Sequence, residues 1–212
     1  GAWVDLTLEK LQVESRRLMG GTKGTHLLVD NPALTDQLSG DAYYVEADDG
    51  RPVFVMPFCG LSLIGTTDVD FEGDPGSAAA SEEEIDYLLG LAGEVFPAAG
   101  VARSDVILHY AGVRPLPYRP ATAANSAITR RHFFEPQTAA GVPLYSVIGG
   151  KLTTCRALAE QAADVLLARL SLARSASSRD RPLPGAEGFP GSDAEVRRHL
   201  EDLAGRLQLS LD

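Results

Sequence analysis

Two stretches of this sequence hold the residue types that could do chemistry. In Ser146-Val147-Ile148-Gly149-Gly150-Lys151-Leu152-Thr153-Thr154-Cys155-Arg156, the apolar run from Leu144 to Ile148 reads as a buried strand. The glycine pair releases the backbone from side-chain sterics, and an amphipathic helix is expected to begin at once. A strand, two glycines and a helix N-terminus present unpaired amide N–H groups and the positive end of a helix dipole to whatever lies in front of them. A partner gaining negative charge would be stabilised there, with Lys151 at the mouth. Taken alone, Gly-Gly-Lys is also the pattern of a tight strand-to-helix turn whose lysine is solvated.

The second stretch is Gly112-Val113-Arg114-Pro115. Proline biases the residue before it toward an extended backbone, which sets where the Arg114 side chain leaves the chain. A planar guanidinium grips a phosphate or a hydroxyl pair with directional bonds that lysine cannot copy, although an isolated Arg-Pro also suits a surface ion pair. Thr66-Thr67-Asp68 closes an apolar strand and, by itself, suits a cap on the turn that follows. Lys23 and His26 flank a strand start, where a histidine is usually a satisfied core or edge residue. His109 and His132 read as structural strand residues. No His/Cys/carboxylate set has metal-ligand spacing, and no Ser-His-Asp constellation is visible.

These groups sit in a chain of 212 residues, 44% hydrophobic, long enough to bury a sizeable core. A net charge of −10 argues against a nucleic-acid partner, and an anionic ligand would need local arginine and lysine to override that field. Cys59 and Cys155 are far apart in sequence and read as two small buried residues of a reducing compartment. The longest apolar stretch, Val53 to Ile64, is broken by Pro57 and Gly60 and is too short to span a bilayer.

The elements that must position the candidate residues follow from periodicity and turn chemistry. Leu6 to Leu18 has helical apolar spacing. Thr25–Val29, Tyr43–Ala47, Val53–Met56 and Ser62–Gly65 read as strands, the middle two joined by the hairpin signal Asp48-Asp49-Gly50-Arg51. Ser81-Glu82-Glu83-Glu84 is a capping box ahead of Ile85, Leu88, Leu89 and Ala92, and Pro97 stops that helix. Val106–Tyr110, Ile128–Phe134 and Leu144–Ile148 are further strands. The helix after Lys151 is expected to bury Leu158, Ala162, Val165 and Leu166. Ser171 to Arg181 and Arg181-Pro182-Leu183-Pro184-Gly185 read as a linker before a charged helix, Asp193–Leu207. The fold class expected is α+β: a mixed, largely antiparallel sheet with flanking helices, the Ser81 helix packed on one face.

Four stretches together resemble the FAD-dependent glycerol-3-phosphate dehydrogenases: Gly1-Ala2-Trp3-Val4-Asp5, Leu63-Ile64-Gly65-Thr66-Thr67-Asp68, Ala111-Gly112-Val113-Arg114-Pro115-Leu116 and Gly149-Gly150-Lys151-Leu152-Thr153-Thr154. Thr22-Lys23-Gly24-Thr25-His26 is a looser fifth. Their order and spacing agree along nearly the whole chain; Ala2 and Cys155 depart from the proline and the aromatic usual in that family. The resemblance implies oxidation of sn-glycerol 3-phosphate to dihydroxyacetone phosphate by hydride transfer to FAD, with electrons passed to a quinone. It further implies Arg114 and Lys151 as catalytic residues, Gly149, Gly150, Lys151, Leu152 and Thr153 as FAD contacts, and Arg114, Thr67 and Asp68 as substrate ligands. Thr66 becomes a candidate site-lining residue, and no general base is identified.

The family's N-terminal G-x-G-x-x-G, where a helix N-terminus holds the FAD pyrophosphate, is absent from this sequence. The chain therefore resembles a C-terminal fragment, expected to be inactive alone and to bind FAD weakly or not at all. Residues 1–20 would be a remnant of the FAD domain with a linking helix, and 21–116 a substrate-binding cap domain. Residues 117–172 would be the C-terminal part of the FAD domain, and 173–212 a linker and the start of a helical domain. A cytoplasmic, peripheral-membrane protein and a homodimer are compatible with the resemblance. Two alternatives stay open: a non-catalytic phosphometabolite-binding domain using Arg114, and a related FAD-dependent amine or hydroxy-acid oxidase.

Overall fold

A computed structural model describes residues 1–118 and 131–208, in two compact units, Gly1–Leu152 and Thr153–Asp212. The first unit is organised by β1 (Met19–Val29), and the reason is pairing rather than propensity. Its first half, Met-Gly-Gly-Thr-Lys-Gly, has little intrinsic strand preference. It is nevertheless extended, because β6 (Val106–Pro117) pairs with it antiparallel from Met19↔Pro117 to Val29↔Val106. The expected strands Thr25–Val29 and Val106–Tyr110 are thus the visible portions of two much longer ones.

With one edge of β1 occupied by β6, the other edge is shared in series. β4 (Leu61–Gly65) takes His26 to Val29, and β5 (Val69–Asp70) takes Thr22 and Lys23. Thr66-Thr67-Asp68 is the interruption between them. β2 (Tyr43–Glu46) and β3 (Pro52–Phe58) extend the sheet beyond β4 as the expected hairpin, with Gly50 at φ 77° in its turn. The fold is α+β as expected, and every described ladder is antiparallel.

α1 (Val4–Lys10) is shorter than the helical spacing predicts. The Asp5 carboxylate accepts the backbone N–H groups of Leu18 and Met19 at 3.0 and 2.9 Å, which draws the chain back along α1. Leu8, Leu18, Met19 and Ile148 then form a small core of their own. α2 (Pro32–Leu38) is capped by Asn31, and α3 (Glu82–Val95) carries the expected capping box. Ile85, Leu88 and Ala92 of α3 pack with Leu34 and Leu38 of α2 on Leu27, Val29, Val53, Val55 and Ile64 of the sheet. Each such Leu, Ile or Val side chain, fully removed from water, contributes about 1.5–3 kcal/mol.

β7 (Phe133–Ala139) and β8 (Val142–Ile148) form a separate hairpin. The strand expected over Ile128–Phe134 begins only at Phe133, and positions 128–130 lie outside the described residues. The Glu135-Pro136-Gln137-Thr138 run is poor in strand formers and is held extended by β8 opposite it.

In the second unit, α4 (Cys155–Arg169) has no buried residue. On the expected apolar face, Leu158, Ala162 and Val165 are only partly buried and Leu166 is 52% exposed. What does run along α4 is the serine- and arginine-rich segment. Glu160 accepts from Ser177 and Ser178 and pairs with Arg156 and Arg174, and Arg174 also pairs with Asp164. α5 (Asp193–Leu207) buries only Ala204.

Candidate functional site

The interruption between β4 and β5 is where the candidate residues meet. A strand alternates its side chains between faces, and β1 sends Thr25, Leu27 and Val29 toward α3, leaving Thr22, Gly24 and His26 on the opposite face. Arg114 lies opposite Thr22 in register, and its side chain runs across Gly24. A Cβ on Gly24 would lie 2.8 Å from Arg114 Cζ and would also collide with its Nη2 and the Thr66 hydroxyl, so only glycine leaves room for the guanidinium.

Arg114 is held from three sides. Nη1 donates to Asp68 Oδ1 at 3.0 Å and, more weakly, to Thr22 Oγ1 at 3.4 Å. Nη2 donates to the Thr67 carbonyl at 2.9 Å and to Thr66 Oγ1 at 3.1 Å. The side chain remains 24% exposed and its Asp68 partner 34%. A guanidinium fixed this way loses little further rotamer entropy on meeting a ligand.

On the other face of the sheet lies a second ion pair. Lys23 Nζ meets Glu84 Oε2 at 2.7 Å and also donates to the Ala79 carbonyl at 2.7 Å. Glu84 Oε2 accepts the Ser81 N–H, and Oε1 accepts the Thr67 hydroxyl at 2.7 Å. Burial alone would raise the Glu84 carboxyl, but the Lys23 ammonium, the Ser81 N–H and the Thr67 hydroxyl outweigh it and hold the group down at about 2. Thr67 itself is buried, so its side chain serves this network while its carbonyl faces Arg114.

His26 lies opposite Tyr110 in register and stacks on it, with centroids 5.0 Å apart and planes 8° from parallel. Its ring lies over Gly65. Burial, and then the positive charge of Arg114, lower its pKa below the ordinary 6.5. Its Nδ1 is buried with no hydrogen-bond partner among the described residues.

The glycine-lysine stretch follows β8 and lies outside the six-stranded sheet. Gly149 and Gly150 have φ 74° and 97°, and a Cβ on Gly149 would lie 2.8 Å from the Arg131 carbonyl oxygen. The helix does not begin at once: a 310 turn, Leu152–Thr154, precedes α4. The β-branched Thr153-Thr154 pair disfavours the first α-turn, and 310 geometry is common at helix starts. Lys151, Leu152 and Thr153 are exposed, Leu152 by 88%.

The structure therefore gathers Arg114, Asp68, Thr66 and Thr67 into one cluster, with Lys23 beneath it and His26 beside it. Glu84 and Tyr110 join them without having been singled out. The capping box accounted for Glu84 completely, and only the tertiary structure supplies its second set of partners. Both cysteines are exposed and free rather than buried. Cys59 occupies the β3–β4 turn at φ 50°, and Cys155 opens α4. Among the described residues there is no His/Cys/Asp/Glu cluster able to hold a metal ion.

A family model described as FAD dependent oxidoreductase matches residues 1–165. A glycerol-3-phosphate dehydrogenase of Synechocystis sp. is 42% identical over 203 residues, covering 90% of this chain and 35% of that protein. A D-erythritol 1-phosphate dehydrogenase of Brucella abortus is 36% identical over 189 residues, covering 88% of this chain and 36% of that protein. Among solved structures, the glycerol-3-phosphate dehydrogenase from Bacillus halodurans complexed with FAD matches with a TM-score of 0.73 at 30% identity, over 96% of this chain and 37% of that one. The chain thus spans about a third of the length of the curated relatives it matches.

Proposed function

This chain belongs to the FAD dependent oxidoreductase family, and on that premise we propose that it is a domain of a flavoprotein oxidising sn-glycerol 3-phosphate to dihydroxyacetone phosphate. The observation that carries the reading is the Arg114 guanidinium, pre-oriented by Asp68, Thr66 and the Thr67 carbonyl and still partly open. Arg114 binds a phosphate or hydroxyl oxygen of the substrate, with Asp68 beside it and Thr67 acting through its carbonyl.

When bound, FAD would supply the hydride acceptor, and Gly149, Gly150, Lys151, Leu152 and Thr153 would hold it. The residues present fit such a group. Gly149 and Gly150 place no side chain over their own amides, and Lys151, Leu152 and Thr153 are exposed just beyond. Amides of that stretch would donate to negative charge developing in front of them, and Lys151 would add a cation there.

In this reading residues 1–20 join the FAD domain to a substrate-binding cap over 21–116. Residues 117–172 return to the FAD domain, and 173–212 lead into a helical domain. We further infer that electrons pass to a quinone, that the protein is cytoplasmic and peripheral on the inner face of the membrane, and that it forms a homodimer. No helix among the described residues is long and apolar enough to cross one. The 212-residue chain alone is inactive and colourless, because the pyrophosphate-binding motif is not in it.

The similarity to a D-erythritol 1-phosphate dehydrogenase favours one second reading, a longer polyol phosphate as substrate. The test is flavin reduction by each phosphate ester in the FAD-loaded longer protein, with and without Arg114→Ala. Reduction by sn-glycerol 3-phosphate, lost in the variant, is the expected result. Reduction by D-erythritol 1-phosphate alone selects the second reading. Reduction by neither, or unchanged turnover in the variant at low and saturating substrate, overturns the proposal.

A further inference from the structure

Arg114 owes its place to a turn that makes no ladder of its own. Between β4 and β5 the chain leaves the edge of β1, and the Thr25 N–H, which an unbroken ladder would give to a strand carbonyl, is taken by Thr67 Oγ1 at 2.9 Å. The Thr67 N–H reaches the Thr25 carbonyl only at 3.4 Å. The orientation of the Thr67 peptide, and so of the carbonyl that accepts from Arg114 Nη2, therefore depends on what holds the Thr67 hydroxyl. That group is the Glu84 carboxylate. Glu84 is itself fixed by Lys23 of β1 and by the Ser81 N–H at the cap of its own helix.

We propose that Glu84, acting through Thr67, is a positioning residue for Arg114: the buried Lys23–Glu84 pair on one face of the sheet sets the substrate-binding guanidinium on the other. The inference rests on the reading of Arg114 as a substrate ligand. The chain of contacts is short and continuous, from carboxylate to hydroxyl, through one residue's backbone, to guanidinium. Its members span α3, β1, the turn and β6, so the cluster is cross-linked exactly where the ladder is broken. Each pair joins one cation to one anion, so neither imposes net charge on the other.

The test uses steady-state kinetics of the FAD-loaded longer protein with sn-glycerol 3-phosphate. Glu84→Gln keeps the shape but removes the charge; with its amide oxygen accepting from Lys23 and the Ser81 N–H, its NH2 faces the Thr67 hydroxyl, which loses its acceptor. Thr67→Val removes the hydroxyl alone. Both are expected to raise KM about tenfold with kcat within about twofold, the double variant no more than either single one. Thr67→Ser restores the hydroxyl and should restore KM. Ser81→Ala, which loses only the helix cap, should lower stability and leave KM alone.

On an Arg114→Ala background the Glu84 and Thr67 changes should have no further effect on KM. Unchanged KM in Glu84→Gln and Thr67→Val, while Arg114→Ala raises it, overturns this inference and leaves the reading of Arg114 standing. Unchanged KM in Arg114→Ala overturns that reading instead. A raised KM in Ser81→Ala equal to theirs overturns the inference by showing a general loss of stability. If Glu84→Gln does not fold, Thr67→Val and its Thr67→Ser rescue decide the matter.

Discussion

Lys23 and Arg114 occupy adjacent register positions on paired strands, Lys23 opposite Val113 and Arg114 opposite Thr22, yet they point to opposite faces of the sheet. Each closes an ion pair with a residue from outside its own strand pair, Lys23 with Glu84 at 2.7 Å and Arg114 with Asp68 at 3.0 Å. Strand alternation thus separates one largely covered cation from one that is more exposed.

Arg114→Lys should not be conservative. Four acceptors on two segments, β1 and the turn at 66–68, meet the two terminal nitrogens of one planar group, and an ammonium cannot reach them together. On the proposed function we expect kcat/KM for sn-glycerol 3-phosphate to fall roughly ten- to hundredfold, the worth of one charge-assisted hydrogen bond of about 1.5–3 kcal/mol. Wild-type kcat/KM in the lysine variant would count against a role that depends on the planar guanidinium.

Gly24→Ala should damage the same cluster without touching its chemistry. The new methyl would displace the guanidinium or the Thr66 hydroxyl, an overpacking cost of about 1–3 kcal/mol. Denaturant unfolding should report the loss in stability, and kinetics a raised KM. An alanine variant as stable and as active as the parent would contradict the close approach.

Acid should weaken the domain through Glu84. Its carboxyl lies at about 2 when folded against an ordinary 4.5, so between those values the unfolded chain binds more protons. Stability from this group is fully present above about 4.5 and is lost as pH falls toward 2. By linkage the contribution is on the order of 3 kcal/mol. Denaturation midpoints followed from pH 6 to 2 should drop in the parent and flatten in Glu84→Gln; parallel curves would refute the assignment.

His26 should remain neutral at pH values where an unhindered histidine is half protonated. Its pKa is lowered first by burial and then by Arg114. Imidazole resonances are expected to titrate below 6.5, and Arg114→Ala should move the midpoint upward. A midpoint at or above 6.5 in the parent would mean that the ring is better solvated than its stacking on Tyr110 implies.

What the sequence by itself determined was local. The Ser81 capping box, the Asp49-Gly50 hairpin turn and the helices after Glu82 and Asp193 are decided within a few residues, and each formed where its signals stood. The ordered motifs around Gly65, Arg114 and Gly149 were likewise legible, and with them the family. Tertiary structure decided everything whose partner lies far along the chain. The glycine-rich half of β1 is a strand because β6, some ninety residues later, pairs with it. The helix predicted to Leu18 stops at Lys10 because Asp5 captures the returning backbone. Asp68 and Arg114 become one site, and Glu84 becomes more than a cap, only because two strands share a single edge of β1 and leave a gap between them. Hydrogen-bond satisfaction at that gap is a property of the assembled sheet, and no window of sequence contains it.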